Sequence, residues 1–250
     1  MDQVVNKYCC QLTFTSKKAM KVNSKIMTLI SLVSASLSLT SNSVQAATVS
    51  FSDPVPEEGL SYEWTVQLDS DDTAEFSYYV GAKSWNEPAN PVGLKGWTHT
   101  SNWVALELLE PTQLNIQIDR QPGVPTATDI AGDQLYPAFS LYKGWQNNGE
   151  EDHQYNTVGN TDWIDEISYL AHAANENLAI SVFESLTLPA GLYSLSIGGN
   201  PPEDPSIVGF HGYSATLTTA PVPEPATSGL LFMAIGILGI ATRRQSEVQK

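Results

Sequence analysis

Four histidines, His99, His153, His172 and His211, are the side chains of this sequence best equipped for chemistry. His99 lies in Gly96-Trp97-Thr98-His99-Thr100-Ser101-Asn102-Trp103, and His153 in Glu150-Glu151-Asp152-His153-Gln154-Tyr155. Both stretches are polar and read as loops, where an imidazole is exposed and free to ligate. Two imidazoles with a nearby aromatic ring suit Cu(I), which accepts low coordination numbers, whereas carboxylates favour Ca²⁺. His99 and His153 are therefore the candidate shared metal site, with copper or calcium as the candidate ion. For every histidine the competing assignment is an ordinary surface or capping residue, and it weighs more heavily for His172 and His211.

Catalytic patterns are missing. The sequence has no G-x-S-x-G elbow, P-loop, H-E-x-x-H or EF-hand loop. Acidic neighbours such as Asp71 and Asp72, Glu150 to Asp152, and Asp165 and Glu166 could pair as in a glycosidase, but acids are so numerous here that proximity carries little information. The expectation is a non-catalytic protein. Of the six tryptophans, Trp64 and Trp103 alternate within strand-like runs and read as core. Trp85, Trp97, Trp145 and Trp163 sit in loop-like stretches and are the candidates for stacking on sugar rings, against the alternative that they close the end of a folded layer.

The elements that must hold these residues read as strands. Leu60 to Leu68, Ala74 to Val80, Trp103 to Leu108 and Leu114 to Ile118 alternate apolar and polar residues, as half-buried strands do. Further strands are expected at Ala138–Tyr142, Leu178–Phe183, Gly191–Ile197 and Tyr213–Thr218, separated by turn signals such as Gln121-Pro122-Gly123 and Pro189-Ala190-Gly191. Ile164 to Asn175 is the one stretch expected to be helical. Short strands without βαβ alternation predict an all-β fold, an antiparallel β-sandwich of jelly-roll type with one short helix. It is flanked by a signal peptide and a short C-terminal hydrophobic helix. The expected organisation is 1–46 as N-terminal extension and signal peptide, 47–220 as the extracellular sandwich and 221–250 as a sorting tail.

Both ends read as addresses. From Met20, Lys21 and Lys25 precede an apolar run from Ile26 to Leu39, and Val44 and Ala46 occupy the −3 and −1 positions of a signal-peptidase site, so cleavage is expected between Ala46 and Ala47. Residues 1–19 leave open whether translation starts at Met1 or Met20. Cys9 and Cys10 lie upstream of the cut in either case, so the mature part has neither a disulfide nor thiolate chemistry. From Ala47 to Val222 there are 24 acidic and 4 basic side chains, a net charge of −20 with histidines neutral, which makes nucleic acid a poor partner. At the other end stands Val222-Pro223-Glu224-Pro225, then an apolar run from Gly229 to Ala241, then Arg243 and Arg244. Thirteen apolar residues span roughly 20 Å as a helix, short of the ~30 Å hydrocarbon core, and the arginines should remain cytoplasmic.

This tail resembles the PEP-CTERM sorting signal of Gram-negative bacteria, with residues 222–244 matching its three parts in order. The resemblance implies transient inner-membrane anchoring, removal of the tail by an exosortase after signal peptidase has acted, and delivery to the cell surface or biofilm matrix, where exopolysaccharide is a candidate partner. The middle of the chain is similar to prepeptidase C-terminal jelly rolls. That similarity rests on Leu106 to Ile118, Pro137 to Tyr142, Leu186-Thr187-Leu188-Pro189-Ala190-Gly191-Leu192-Tyr193, and Gly212 to Leu217, with a long insertion between Tyr142 and Leu178 as the departure. It implies a non-catalytic accessory domain. Trp97-Thr98-His99, Tyr136-Pro137-Ala138-Phe139 and Asp152-His153 resemble segments of copper-repressible copper-binding surface proteins of methane-oxidising bacteria, which implies surface copper binding through His99 and His153.

Overall fold

The chain divides into two units, Met1–Ser43 and Val44–Lys250. The computed structural model describes residues 47–222 apart from 53–59, 92, 147–152, 160, 176–177, 203 and 205, all within the second unit. The signal peptide with Ala46, and Pro223, Glu224, Pro225, Arg243 and Arg244 of the tail, lie outside the described residues; Ala47 and Val222 are the first and last of them.

Two sheets carry the fold. The larger comprises β1 (Thr48–Phe51), β2 (Tyr62–Leu68), β5 (Asn102–Leu108), β11 (Gly191–Gly199), β7 (Pro137–Lys143) and β9 (Ser168–Ala174), in that spatial order. The smaller runs β10 (Ser181–Leu188), β6 (Thr112–Arg120), β12 (Phe210–Pro221) and β3 (Thr73–Gly81). A third, two-stranded piece pairs β4 (Gly96–Trp97) with β8 (Gln154–Tyr155). Pairing is antiparallel except between β2 and β5, which run parallel. The fold is an all-β sandwich, as alternation along the strands predicts. Leu106, Leu108, Leu141, Leu195 and Ile197 from one sheet bury against Ile116, Ile118, Ala215 and Leu217 from the other.

The helix expected over Ile164 to Asn175 is not formed. Ser168–Ala174 is instead strand β9, hydrogen-bonded to β7 in the register Ala138↔Ala174 to Lys143↔Ser168, with a bulge at Leu141/Tyr142. The alanines that favour helix in isolation are overridden by the free edge of β7, whose backbone groups need partners. Among the described residues the one helical element is a 3-10 turn, Thr98–Thr100. The strand expected at Leu178–Phe183 begins at Ser181 and continues to Leu188.

The outer face of the large sheet is also buried. On β7 and β11 the sequence Phe139-Ser140-Leu141-Tyr142 and Tyr193-Ser194-Leu195-Ser196-Ile197 sends apolar residues inward and serines outward. Those serines are fully buried, because the insertion after β7 folds back over them. Ser194 Oγ donates to Gly144 O at 2.7 Å, Ser140 Oγ to Thr157 O at 2.6 Å and Ser196 Oγ to Tyr155 Oη at 2.7 Å. A second apolar cluster of Leu60, Trp103, Tyr142, Tyr155 and Ile167 fills the space between.

The parallel β2–β5 pair carries a bulge between Tyr62 and Trp64. Glu63 is 7% exposed there, and its carboxylate accepts the Trp103 N–H at 2.6 Å. That side chain supplies the acceptor the bulge removes from the ladder. Glu63→Ala leaves a buried N–H without this partner and should cost roughly 1–3 kcal/mol in denaturant unfolding. Glu63→Gln, which keeps an acceptor oxygen, should cost less.

Candidate metal centre

The insertion that covers the large sheet also brings His153 to His99. β4 and β8 pair as Gly96↔Tyr155 and Trp97↔Gln154, and Thr98 N–H donates to His153 O at 3.0 Å, extending the ladder by one step. The chain then turns through Thr98–Thr100, so that His99 projects beside His153. Nε2 of His99 meets Nδ1 of His153, with ring centroids 4.5 Å apart and planes inclined by 34°. Both residues are exposed. Two imidazoles 54 positions apart in sequence thus present nitrogens to one point at the surface.

What holds them is below the surface. Tyr155 is fully buried; its hydroxyl donates to Ser101 Oγ at 3.0 Å and accepts from Ser196 Oγ at 2.7 Å, while Ser101 Oγ donates onward to Ser84 O at 3.1 Å. Burial pushes the phenol up to about 12, with the two serine hydroxyls opposing the shift, so it remains a neutral donor. Gly96 is required directly opposite: a Cβ there would stand 2.1 Å from Cε1 of Tyr155. Asn90 Nδ2 donates to Gly96 O at 2.9 Å, and Trp97 N–H to Ser84 O at 2.8 Å, fixing β4 from its other side.

The other histidines are engaged elsewhere. His211 is 6% exposed; Nδ1 accepts from Gln134 N at 3.0 Å and Nε2 lies 3.2 Å from Val208 O, so both ring nitrogens are engaged. His172, on β9, has Nδ1 2.5 Å from Tyr169 Oη and stacks on Trp85 at 5.7 Å.

Of the tryptophans expected to stack on sugars, Trp85 is 7% exposed and donates Nε1 to Ser140 Oγ at 2.9 Å. Trp145 donates Nε1 to Tyr193 O at 2.9 Å and to Leu106 O at 3.1 Å. Trp163 packs against Trp103, Tyr142 and Tyr155 with ring centroids at 5.7–6.1 Å. These three close the insertion over the sheet. Trp97 is half-buried and lines an open cleft.

The donor set is nitrogen. Residues 47–222 contain neither cysteine nor methionine, so no sulfur competes for a soft ion. Among the described residues no three His, Cys, Asp or Glu side chains are grouped to hold a metal ion. A two-imidazole site suits a low-coordinate ion such as Cu(I), whereas calcium would need six to eight oxygen ligands. Ligation by two nitrogens at about 2 Å each would place them roughly 4 Å apart. Both rings are exposed, and side-chain rotation can separate them.

The PEP-CTERM protein-sorting motif matches residues 221–245, the signature of exosortase-processed, exported surface proteins. Among the described residues no helix is long and apolar enough to cross a membrane. No curated protein matches the chain. Solved structures similar to it include the surface-associated copper-binding protein CorA, important in copper acquisition by Methylomicrobium album BG8 (16% identity, TM-score 0.41, covering 62% of this chain and 98% of that one). MopE, a secreted protein of Methylococcus capsulatus in which an oxidised tryptophan facilitates copper binding, gives 14% identity and a TM-score of 0.34, covering 60% and 84%. The pre-peptidase C-terminal domain of a Bacillus anthracis collagenase gives 9% and 0.31, covering 66% and 100%. At such scores these likenesses carry no argument for this chain.

Gly96→Ala should displace the Tyr155 ring and with it β8. The expected outcome is a loss of about 1–3 kcal/mol in denaturant unfolding, the range for overpacking a filled site, and loss of contact between His99 and His153 by NMR. Unchanged stability would mean that Gly96 and Tyr155 do not set the position of the insertion.

Proposed function

We propose that this chain is an exported, non-catalytic surface protein whose β-sandwich binds one Cu(I) ion through Nε2 of His99 and Nδ1 of His153. The observation that carries this reading is the meeting of those two nitrogens at an exposed point. Three features support it. The sorting motif supports delivery of the sandwich to the cell surface. The net charge of −20 over residues 47–222 draws cations toward the surface without prescribing where they stop. The short strands that carry the two histidines are anchored by buried hydrogen bonds, so their backbone is positioned before the ion arrives and only the side chains must rotate.

The chemistry such an ion would supply is capture and presentation. His99 and His153 would hold it at the surface, and exposure of both rings keeps exchange with a partner open. A second reading is a structural or binding component of the extracellular matrix without metal; the sorting motif is its support.

Titration of the exported protein with Cu(I) under reducing conditions tests the proposal. One ion per chain is expected. His99→Ala and His153→Ala should each weaken binding by more than the roughly 10–100-fold that loss of a supporting hydrogen bond costs a metal site. His172→Ala should leave it unchanged. Absence of binding below micromolar copper, or binding unaffected by both variants, would overturn it in favour of the matrix reading.

A further inference from the structure

The free edge of the smaller sheet carries a second arrangement that the metal centre does not use. Side chains along a strand alternate between faces. Yet the neighbours Tyr78 and Tyr79 of β3 lie ring on ring, with centroids 4.2 Å apart and planes at 20°, and Tyr78 Oη donates to Tyr79 Oη at 3.3 Å. Among the described residues β3 is an edge strand, paired with β12, and Tyr78 also packs against the main core. The row continues in both directions. Phe51 of β1 lies 4.9 Å from Tyr78, and Phe210 at the start of β12 lies 5.5 Å from Tyr79. Phe51 and Phe210 are 41% and 47% exposed, so the row is open to solvent at both ends.

At Phe210 the belt enters a cleft of about 440 Å³, walled by Trp97 and Phe210 and flanked by Lys83, Glu87 and Thr100. That volume is within the range of small-ligand sites, as is the combination of apolar walls with a few polar groups. We propose that the belt and cleft bind a neutral polysaccharide, one sugar seated in the cleft and its neighbours laid along the aromatic row.

Three considerations select that occupant. Aromatic faces pair with the C–H-rich faces of sugar rings, while an ammonium, a carboxylate and a hydroxyl at the cleft can exchange hydrogen bonds with sugar hydroxyls. An acidic polysaccharide or nucleic acid would meet a domain of net charge −20. An added peptide strand would pair through the backbone of the β3 edge and would make no use of the aromatic row. Phe51, Tyr78, Tyr79 and Phe210 are the residues that sequence reasoning missed, because the belt is assembled from three strands distant in the chain.

Calorimetric titration of the exported protein against a panel of neutral linear glycans of different linkage, with polygalacturonate as the acidic counterpart, tests the inference. Saturable binding to at least one neutral glycan is expected, with none to polygalacturonate. Phe210→Ser should weaken it about five-fold, the scale of one aromatic stacking contact. Phe210→Trp should restore it, and His99→Ala should leave it unchanged, separating this site from the metal centre. Failure of the whole panel, equal affinity in Phe210→Ser, or preference for polygalacturonate would each overturn it.

Discussion

The burial of one phenol governs the arrangement on which the proposed copper site depends. Tyr155 enters a pocket on the outer face of the large sheet that exists because Gly96 lacks a side chain and because the facing residues of β11 and the loop before β5 are serines. Its ring packs against Trp103 at 5.1 Å and its hydroxyl joins two otherwise separate serines. A two-residue strand such as β8 has too few ladder bonds to persist alone. The aromatic anchor at its end makes the pairing with β4 stable, and the pairing places His153 against His99.

Much of the fold is legible in the sequence, and the reason is the inward alternation of β2, β5, β6, β11 and β12. Leu114-Asn115-Ile116-Gln117-Ile118 cannot bury three large side chains on one face in any conformation but a strand. The same alternation misleads at Leu195-Ser196-Ile197, where the serine reads as solvent-facing and is in fact covered by the insertion. The error at β9 has a related origin. Ala171, His172 and Ala173 have no strong strand preference, and what makes them a strand is the exposed edge of β7, a partner distant in sequence.

The candidate site was partly legible. Loop context singles out His99 and His153 from His172 and His211, and the structure brings the first pair together while it occupies His211 with two backbone groups. What the sequence does not display is the link between them, since the strand pairing of Trp97 with Gln154 rests on Tyr155 meeting a glycine 59 positions earlier. Loop context shows as little of how the tryptophans are held. Trp163 packs against the second core, while Trp85 donates its indole N–H to Ser140 and Trp145 donates its own to two backbone carbonyls. Export and site fit together physically: the sandwich reaches the outside without sulfur ligands, so imidazole is its softest donor.

The central claim is that two specific nitrogens form one copper site, and ¹⁵N NMR of the histidine side chains during addition of one equivalent of Cu(I) reads those nitrogens individually. The account predicts that Nε2 of His99 and Nδ1 of His153 shift together and saturate at one equivalent, while both nitrogens of His211 and those of His172 stay in place. Independent shifts of His99 and His153, or a response spread over all four imidazoles, would contradict it.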